Sequence, residues 1–415
     1  MIGLDLLRIH VFTFLERKAH FSFSRVCKPI WNISACQSTT ESMMRELMWS
    51  AKPIQFYGTI SHDNLVQISK FFSRTKQLTV NVESKMCGVQ ALAGMTTLEF
   101  LDIRCHPWLP SDVGTLCRTL TKLKTLKIYG EISTDCLDND GLKNNRTLTS
   151  LTVSGFQGGG TPWNPEWLKD VPLETLVVTH PFYIPRLLVG NLALITTLTK
   201  LDIRGTGKLL CSQIIGFKGM KLNDLRCDVD FPADDPAPFE FLANQLPLLE
   251  VLILQGWLPH PRLACTHLSR LEHLRVLELT PRGNVFGHDR AGQFNLPKLE
   301  WLFLRRYDFL NDENMACIKN SPSLRHLQIF APEQLSDKGF VHFQNHPGLE
   351  ILSLAPVYLT NESVAVLHTL NQESLWRAHS NLDPCYRDRG FRQRSQQTKR
   401  LAFQILLKPL FDVDT

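Results

Sequence analysis

The chain has 415 residues, 45 Lys and Arg against 40 Asp and Glu, 43% hydrophobic residues and 20% charged ones. These are globular values, and a formal charge of +5 is too small to point to a nucleic-acid partner. Eleven cysteines, an odd number with no C-x-x-C pair, match neither a disulfide framework nor a zinc module, and predict reduced thiols in the cytosol or nucleus.

At the N-terminus, Leu4 to Leu15 is apolar, but Asp5, Arg8 and His10 interrupt it. The unbroken run Val11–Leu15 is too short for a signal-peptide core or a membrane span, so no membrane partner is expected. Leu4, Leu7, Val11, Phe14 and Leu15 sit at helical spacing, and Ile9 with Phe12 forms a second apolar stripe. A short helix that is apolar on two sides either meets another protein or caps the structure that follows it. The stretch resembles an F-box. Leu6, Leu7, Ile9, Phe12 and Leu15 supply the leucine-rich first helix, and Val26, Cys27, Lys28 and Trp31 supply the V-C-K-x-W-like second part, with Trp31 one residue late after Pro29 and no opening Leu-Pro. The resemblance implies a small all-helical segment over residues 1–36 whose nine matching residues dock on a Skp-family adaptor and through it reach a cullin.

Residues 37–72 are expected to hold a linker helix and an irregular repeat. Ser38-Thr39-Thr40-Glu41 is a capping box before Met43, Met44, Leu47 and Met48, spaced for one helix face. Ile54 and Phe56, then Leu78, Val80 and Val82, predict irregular opening strands that shield the end of a sheet.

Residues 73–370 carry a repeat. The pattern L-x-x-L-x-apolar begins at Leu98, Leu123, Leu148, Leu173, Leu198, Leu222, Leu249, Leu274, Leu299, Leu324 and Leu349, at spacings of 24 to 27. That period and leucine frame are those of a leucine-rich repeat. Within each frame the second and third positions, such as Leu101 and Ile103 or Leu277 and Leu279, lie two apart and point to one side of a strand. A second apolar site recurs at Leu116, Leu168, Leu192, Leu242, Leu268, Ile318, Phe343 and Leu367, in stretches patterned as short helices. Ordering one repeat costs roughly 1–2 kcal/mol per residue of backbone entropy, while each buried side chain returns about 1.5–3 kcal/mol. A lone unit therefore cannot fold, and stacking is compulsory. The expected fold is α/β, a leucine-rich-repeat solenoid with a curved parallel sheet inside and helices outside, preceded by the F-box-like segment.

The positions flanking the core leucines project from the sheet face. In the first six frames they are mostly polar, with Phe100, Tyr129 and Val177 as the apolar members; the last five frames add Val251, Ile253, Val276, Trp301, Phe303, Phe330 and Ile351. Aromatic and aliphatic residues bordered by Gln255, Glu278, Arg305 and Gln328 have the composition of a protein-binding hot spot. Ile253, Gln255, Trp301, Phe303, Arg305, Phe330 and Ile351 are thus the expected substrate-binding residues. The loops Gly155–Pro162 and Phe231–Phe239 either touch a ligand or only accommodate length.

Residues 371–415 form a C-terminal cap and basic tail. Arg377, Arg387, Arg389, Arg392, Arg394, Lys399 and Arg400 precede the apolar run Leu401, Phe403, Ile405, Leu406 and Leu407. The basic part fits a solvated cap, an acidic substrate or a nuclear import signal, and the apolar run fits a plug for the open core. Sequons stand at Asn32, Asn145 and Asn361. No H-E-x-x-H, phosphate loop or G-x-S-x-G occurs, and the 14 histidines lack ligand spacing, so neither enzyme activity, a metal nor a cofactor is expected. The F-box resemblance, joined to leucine-rich repeats, implies the substrate-recognition subunit of an SCF-type cullin-RING ubiquitin ligase, cytoplasmic or nuclear, whose repeats hold an unidentified protein. The alternative reading is a repeat scaffold or inhibitor with no link to ubiquitination, its N-terminus being only a cap.

Overall fold

The computed structural model of the protein describes residues 54–355, apart from 61, 83–88, 106, 110, 134–135, 138–139, 157–164, 180–188, 206–207, 232–236, 258–265, 282–295, 306–311, 320, 331–335, 344–345 and 347. The nine F-box-matching residues, the Gly-rich part of the first loop, two of the sequons and the basic tail lie outside the described residues. The chain divides into two compact units, residues 1–207 and 208–415.

In the first unit seven strands run parallel, each bonded to the next: β1 (Ile54–Ile60), β2 (Gln77–Val82), β3 (Phe100–Cys105), β4 (Thr125–Ile132), β5 (Ser150–Phe156), β6 (Thr175–Thr179) and β7 (Lys200–Ile203). The pairing of β1 with β2 slips between Gln55 and Thr59, the irregularity the sequence pattern there suggests. The second unit repeats the plan with β8 (Leu209–Leu210), β9 (Asp224–Asp230), β10 (Val251–Trp257), β11 (Val276–Pro281), β12 (Trp301–Arg305), β13 (His326–Phe330) and β14 (Ile351–Ala355). Both are leucine-rich-repeat stacks.

The period sets the register. Leu101 pairs with Leu126, Leu126 with Leu151, Leu151 with Leu176, and Leu176 with Leu201; in the second unit Leu252, Leu277, Leu302, Leu327 and Leu352 form the matching row. Apart from Leu352, at 6%, these leucines are fully buried. Opposite them lie short helices, including Asp112–Thr119, Ala237–Gln245, Asp312–Ile318 and Asp337–Val341, and 3-10 turns at Pro165–Asp170 and Val189–Leu194. Their apolar residues Leu116, Leu168, Leu192, Leu242 and Ile318 are fully buried, as are Leu268 and Phe343, which follows the last of these helices. The core is the layer between strands and helices; on the opposite sheet face most described residues are half-buried, and Thr152, Asp202, Asp224, Asp228 and Ile253 are buried.

Polar side chains tie successive repeats together. The residue before the first leucine of four frames carries a hydroxyl that donates to a carbonyl of the preceding repeat: Thr97 to Ser73 and Thr75, Thr147 to Thr121 and Leu123, Thr197 to Leu173, and Ser323 to Pro297. Asn145 is buried, with its Nδ2 donating to the Cys117 carbonyl and its Oδ1 accepting from the Thr147 and Leu148 amides. The sequon at Asn145 is therefore closed to a glycan in the folded chain, because the acceptor amide is already committed. The Phe231–Phe239 connection is anchored at both ends in the core, where the two rings meet edge to face at 5.8 Å. One expectation fails: Cys105 is disulfide-bonded, whereas Cys117, Cys136 and Cys227 are free and buried. An odd cysteine count excludes full pairing but is blind to a single pair. Burial pushes the Cys117 thiol up to about 12, which leaves it inert.

Three glycines, Gly130, Gly155 and Gly256, mark close approach at strand ends. A Cβ on Gly130 would lie 1.7 Å from the Cys105 carbonyl oxygen, and one on Gly256 would lie 2.1 Å from that of Val229, each at a φ near +130° in which an L side chain is strained. Gly219, at φ +83°, has open space around it. Gly256→Ala is therefore expected to lower stability by about 3 kcal/mol and Gly219→Ala by about 1 kcal/mol, backbone strain alone accounting for the second; urea unfolding of the two variants measures the difference.

Candidate functional site

The exposed face of the second unit places residues from five consecutive strands in columns, because identical repeat positions are set side by side by the parallel register. The first column runs Val251, Val276, Trp301, His326, Ile351, and the second Ile253, Glu278, Phe303, Gln328, Ser353. Gln255 and Thr280 pair in a third, as do Arg305 and Phe330.

Trp301 is the centre of this surface. Its side chain is 38% exposed, although its ring stacks on His326 with centroids 3.8 Å apart and planes 12° from parallel. Phe303, two residues along the same strand and half-buried, stands 5.8 Å from it. Val251, Val276 and Ile351 are half-buried in the same column. Offset aromatic contacts of this kind are worth about 0.5–1.5 kcal/mol beyond their buried area, so the indole is held flat and pre-ordered while 38% of the residue stays exposed. Such rigid aromatic anchors lose little rotamer freedom on binding.

The expected binding residues thus fall in one patch, with two differences. Ile253 is 6% exposed and is part of the floor of the surface, not a contact: its register neighbours are the long side chains Arg226 and Glu278. Phe330 lies on β13, but its side chain lies outside the described residues. Gln255 is half-buried and Arg305 exposed; the Arg305 guanidinium reaches Glu278 at 3.7 Å, which leaves that carboxylate compensated on an otherwise apolar surface. Farther along the sheet face Asp224 grips Arg226 through two bonds, at 2.8 and 3.0 Å.

The composition reading missed a charged edge. The residue after the first leucine of each late frame alternates in sign, Glu250, Arg275, Glu300, Arg325, Glu350, and stacking turns that alternation into a ladder. Arg275 bonds Glu300 at 2.9 Å and approaches Glu250 at 3.8 Å; Arg325 meets Glu350 at 3.3 Å. Hydrogen bonding to Arg275 holds the Glu300 carboxyl below its ordinary range. In the first unit Glu99 sits likewise between Lys76 and Lys124, at 3.2 and 2.9 Å. The signal was present in the sequence as a 25-residue alternation of Glu and Arg, visible once frames are aligned.

The first unit's sheet face is different in kind. Lys127 lies 5.3 Å from the Phe100 ring centroid and Arg104 lies 5.0 Å from that of Tyr129, so its aromatic rings are covered by cations. Between them Asp102 is raised by burial, against the pull of Lys127 and Arg104. Among the described residues no group of three His, Cys, Asp or Glu side chains is arranged to hold a metal, and no described helix is long and apolar enough to cross a membrane.

No protein-family model matches the chain, and no curated protein is similar to it in sequence. Among solved structures, it is similar to a leucine-rich-repeat protein of Leptospira interrogans at a TM-score of 0.42 and 13% identity, over 77% of this chain and 89% of that one. It is also similar to the mouse RP105/MD-1 complex at a TM-score of 0.40 and 16% identity, over 74% of this chain and 49% of that one, about half of that chain's length.

Burial lowers the titration of His326, against the opposing pull of Glu350, and lowers that of His346. Both imidazoles are therefore more easily protonated in the unfolded chain, near 6.5. Their contribution to stability is present above that pH and is lost as the pH falls through the lower folded values. The urea midpoint is expected to drop between about pH 7.5 and about pH 5.5, and to drop less in a His326→Gln, His346→Gln double variant; equilibrium unfolding at the two pH values checks it.

Proposed function

We propose that the protein is a non-catalytic substrate receptor of an SCF-type cullin-RING ubiquitin ligase, in which residues 1–36 recruit a Skp-family adaptor and the sheet face around Trp301 holds the protein to be modified. The observation that carries the receptor half of this reading is Trp301 itself. It is a large aromatic ring exposed on a rigid sheet, stacked in place by His326 and bordered by Val276, Phe303 and Ile351, where an isolated protein gains nothing from leaving it uncovered. The adaptor half rests on the F-box resemblance of Leu6, Leu7, Ile9, Phe12, Leu15, Val26, Cys27, Lys28 and Trp31. The receptor performs no chemistry and takes no cofactor; it works by holding two proteins at once, which raises the effective concentration of one near the other.

A repeat scaffold or inhibitor outside the ubiquitin system is the second reading.

Capture of a Skp-family adaptor by the full chain decides between the two. A Leu7→Lys, Phe12→Lys double variant places unpaired charges in an apolar contact, at a cost of several kcal/mol. Adaptor capture is expected to fall by orders of magnitude in that variant with the thermal midpoint unchanged, and to be untouched in Trp301→Ala. An intact chain that captures no adaptor, where a standard F-box does, selects the scaffold.

A further inference from the structure

We propose that His326 makes docking on the Trp301 face depend on pH: with the imidazole neutral the face takes an apolar segment of a partner protein, and a proton on the imidazole turns that segment away. This rests on the reading that the face is a docking surface and adds what regulates it.

The two units supply the comparison. In the first, the aromatic face residues lie under permanent cations, Lys127 being 5.3 Å from the Phe100 ring centroid and Arg104 5.0 Å from that of Tyr129. In the second, Trp301 stands at the repeat position of Phe100, while the repeat position of Lys127 is held by the neutral Gln328. The group against the indole is instead His326, its register partner on β13, with centroids 3.8 Å apart and planes 12° from parallel. Lysine and arginine keep their charge at any pH near neutrality; an imidazole does not.

The direction follows from what a partner covers. The His326 side chain keeps 17% of its surface exposed, and a segment laid on Trp301 covers that edge as well, because the two rings are in contact. Losing that water costs the charged imidazole far more than the neutral one. Among the described residues three charged groups act on it. Glu350, on the β14 side with a carboxylate oxygen 3.8 Å from Nε2, and Glu300, on the β12 side, favour the proton; Arg325, next to it in the chain, opposes it. Glu350 is 56% exposed and lies 3.3 Å from Arg325, and Glu300 is bonded to Arg275 at 2.9 Å. Both carboxylates are thus compensated by arginines, and the lost hydration decides the sign. Proton and partner therefore compete: docking is tight above the folded titration of His326 and weakens as the pH falls through it.

Binding of Nile red, a neutral dye standing in for the apolar segment, to the full chain at about pH 7.5 and about pH 5.5 tests this. The signal is the Trp301-dependent binding, wild type less Trp301→Ala, with circular dichroism checking that each variant stays folded at both pH values. The Kd of that binding is expected to rise by at least about twofold from the higher pH to the lower, and by less than about tenfold because the folded His326 titrates below 6.5. His326→Gln, neutral throughout, is expected to change by less than about 1.5-fold, and His326→Lys, which sets a permanent cation there as in the first unit, to bind weakly at both. If His326→Gln weakens with falling pH as much as the wild type does, the proposal is overturned and the docking surface stands. If Trp301→Ala binds the dye as the wild type does, the docking surface itself fails, and the proposal with it.

Discussion

The structure depends on one constraint: a 25-residue unit cannot bury its own apolar side. Leu126 is shielded only because Leu101 and Leu151 lie in register on either side and helix residues such as Leu116 close the layer behind. Each repeat is the solvent shield of the next, so the stability of any one strand is a property of its neighbours. This explains why the polar groups that matter are those crossing between repeats. The hydroxyls of Thr97, Thr147, Thr197 and Ser323 fall at one repeat position and satisfy carbonyls of the preceding turn, and Asp312 accepts the Ser336 amide at the start of the following helix. Gly130, Gly155 and Gly256 mark the places where one repeat's backbone approaches the last so closely that no side chain fits.

The same stacking makes the exposed face. Because every repeat position becomes a column, a sequence change once per repeat becomes a stripe, and a single aromatic becomes a landmark. Trp301 is exposed because its position faces away from the core, and it is ordered because His326 occupies the equivalent position one strand on. On the first unit the aromatic face residues are Phe100, at the position equivalent to Trp301, and Tyr129, and they lie under Lys127 and Arg104. The two units therefore share an architecture and differ in what they offer a partner: one presents rings under cations, the other a ring left open.

Much of this was legible in the residues. The leucine frame located strands β3 to β7 and β9 to β14 at their observed register, and the second apolar site located the buried residues of the helical layer, Leu116 to Phe343. The patch around Trp301 was found because period-two alternation in a strand separates core from face without further information. The exceptions are informative. Ile253 occupies a face position and is nonetheless buried, since its exposure depends on the length of the side chains in the adjoining columns, Arg226 and Glu278, and those are far away in sequence. Cys105 escaped because parity arithmetic treats cysteines as a set. The charge ladder was overlooked because its members are 25 residues apart, beyond any window used to judge charge patterning.

By itself, the sequence determined what is periodic: the repeat length, the parallel register, the division of each strand into a buried and an exposed side, and the place where apolar residues accumulate on the exposed side. Those follow from local geometry and from the loss of free energy when leucines meet water, and need no knowledge of the rest of the chain. Only the tertiary structure decided what is relational: that His326 lies flat on Trp301, that Asn145 is locked between repeats and closed to modification, that Ile253 is floor and not contact, and that five charges of alternating sign stand on successive rungs. Each of these is a distance between residues of different repeats, and such distances are fixed only when the stack forms.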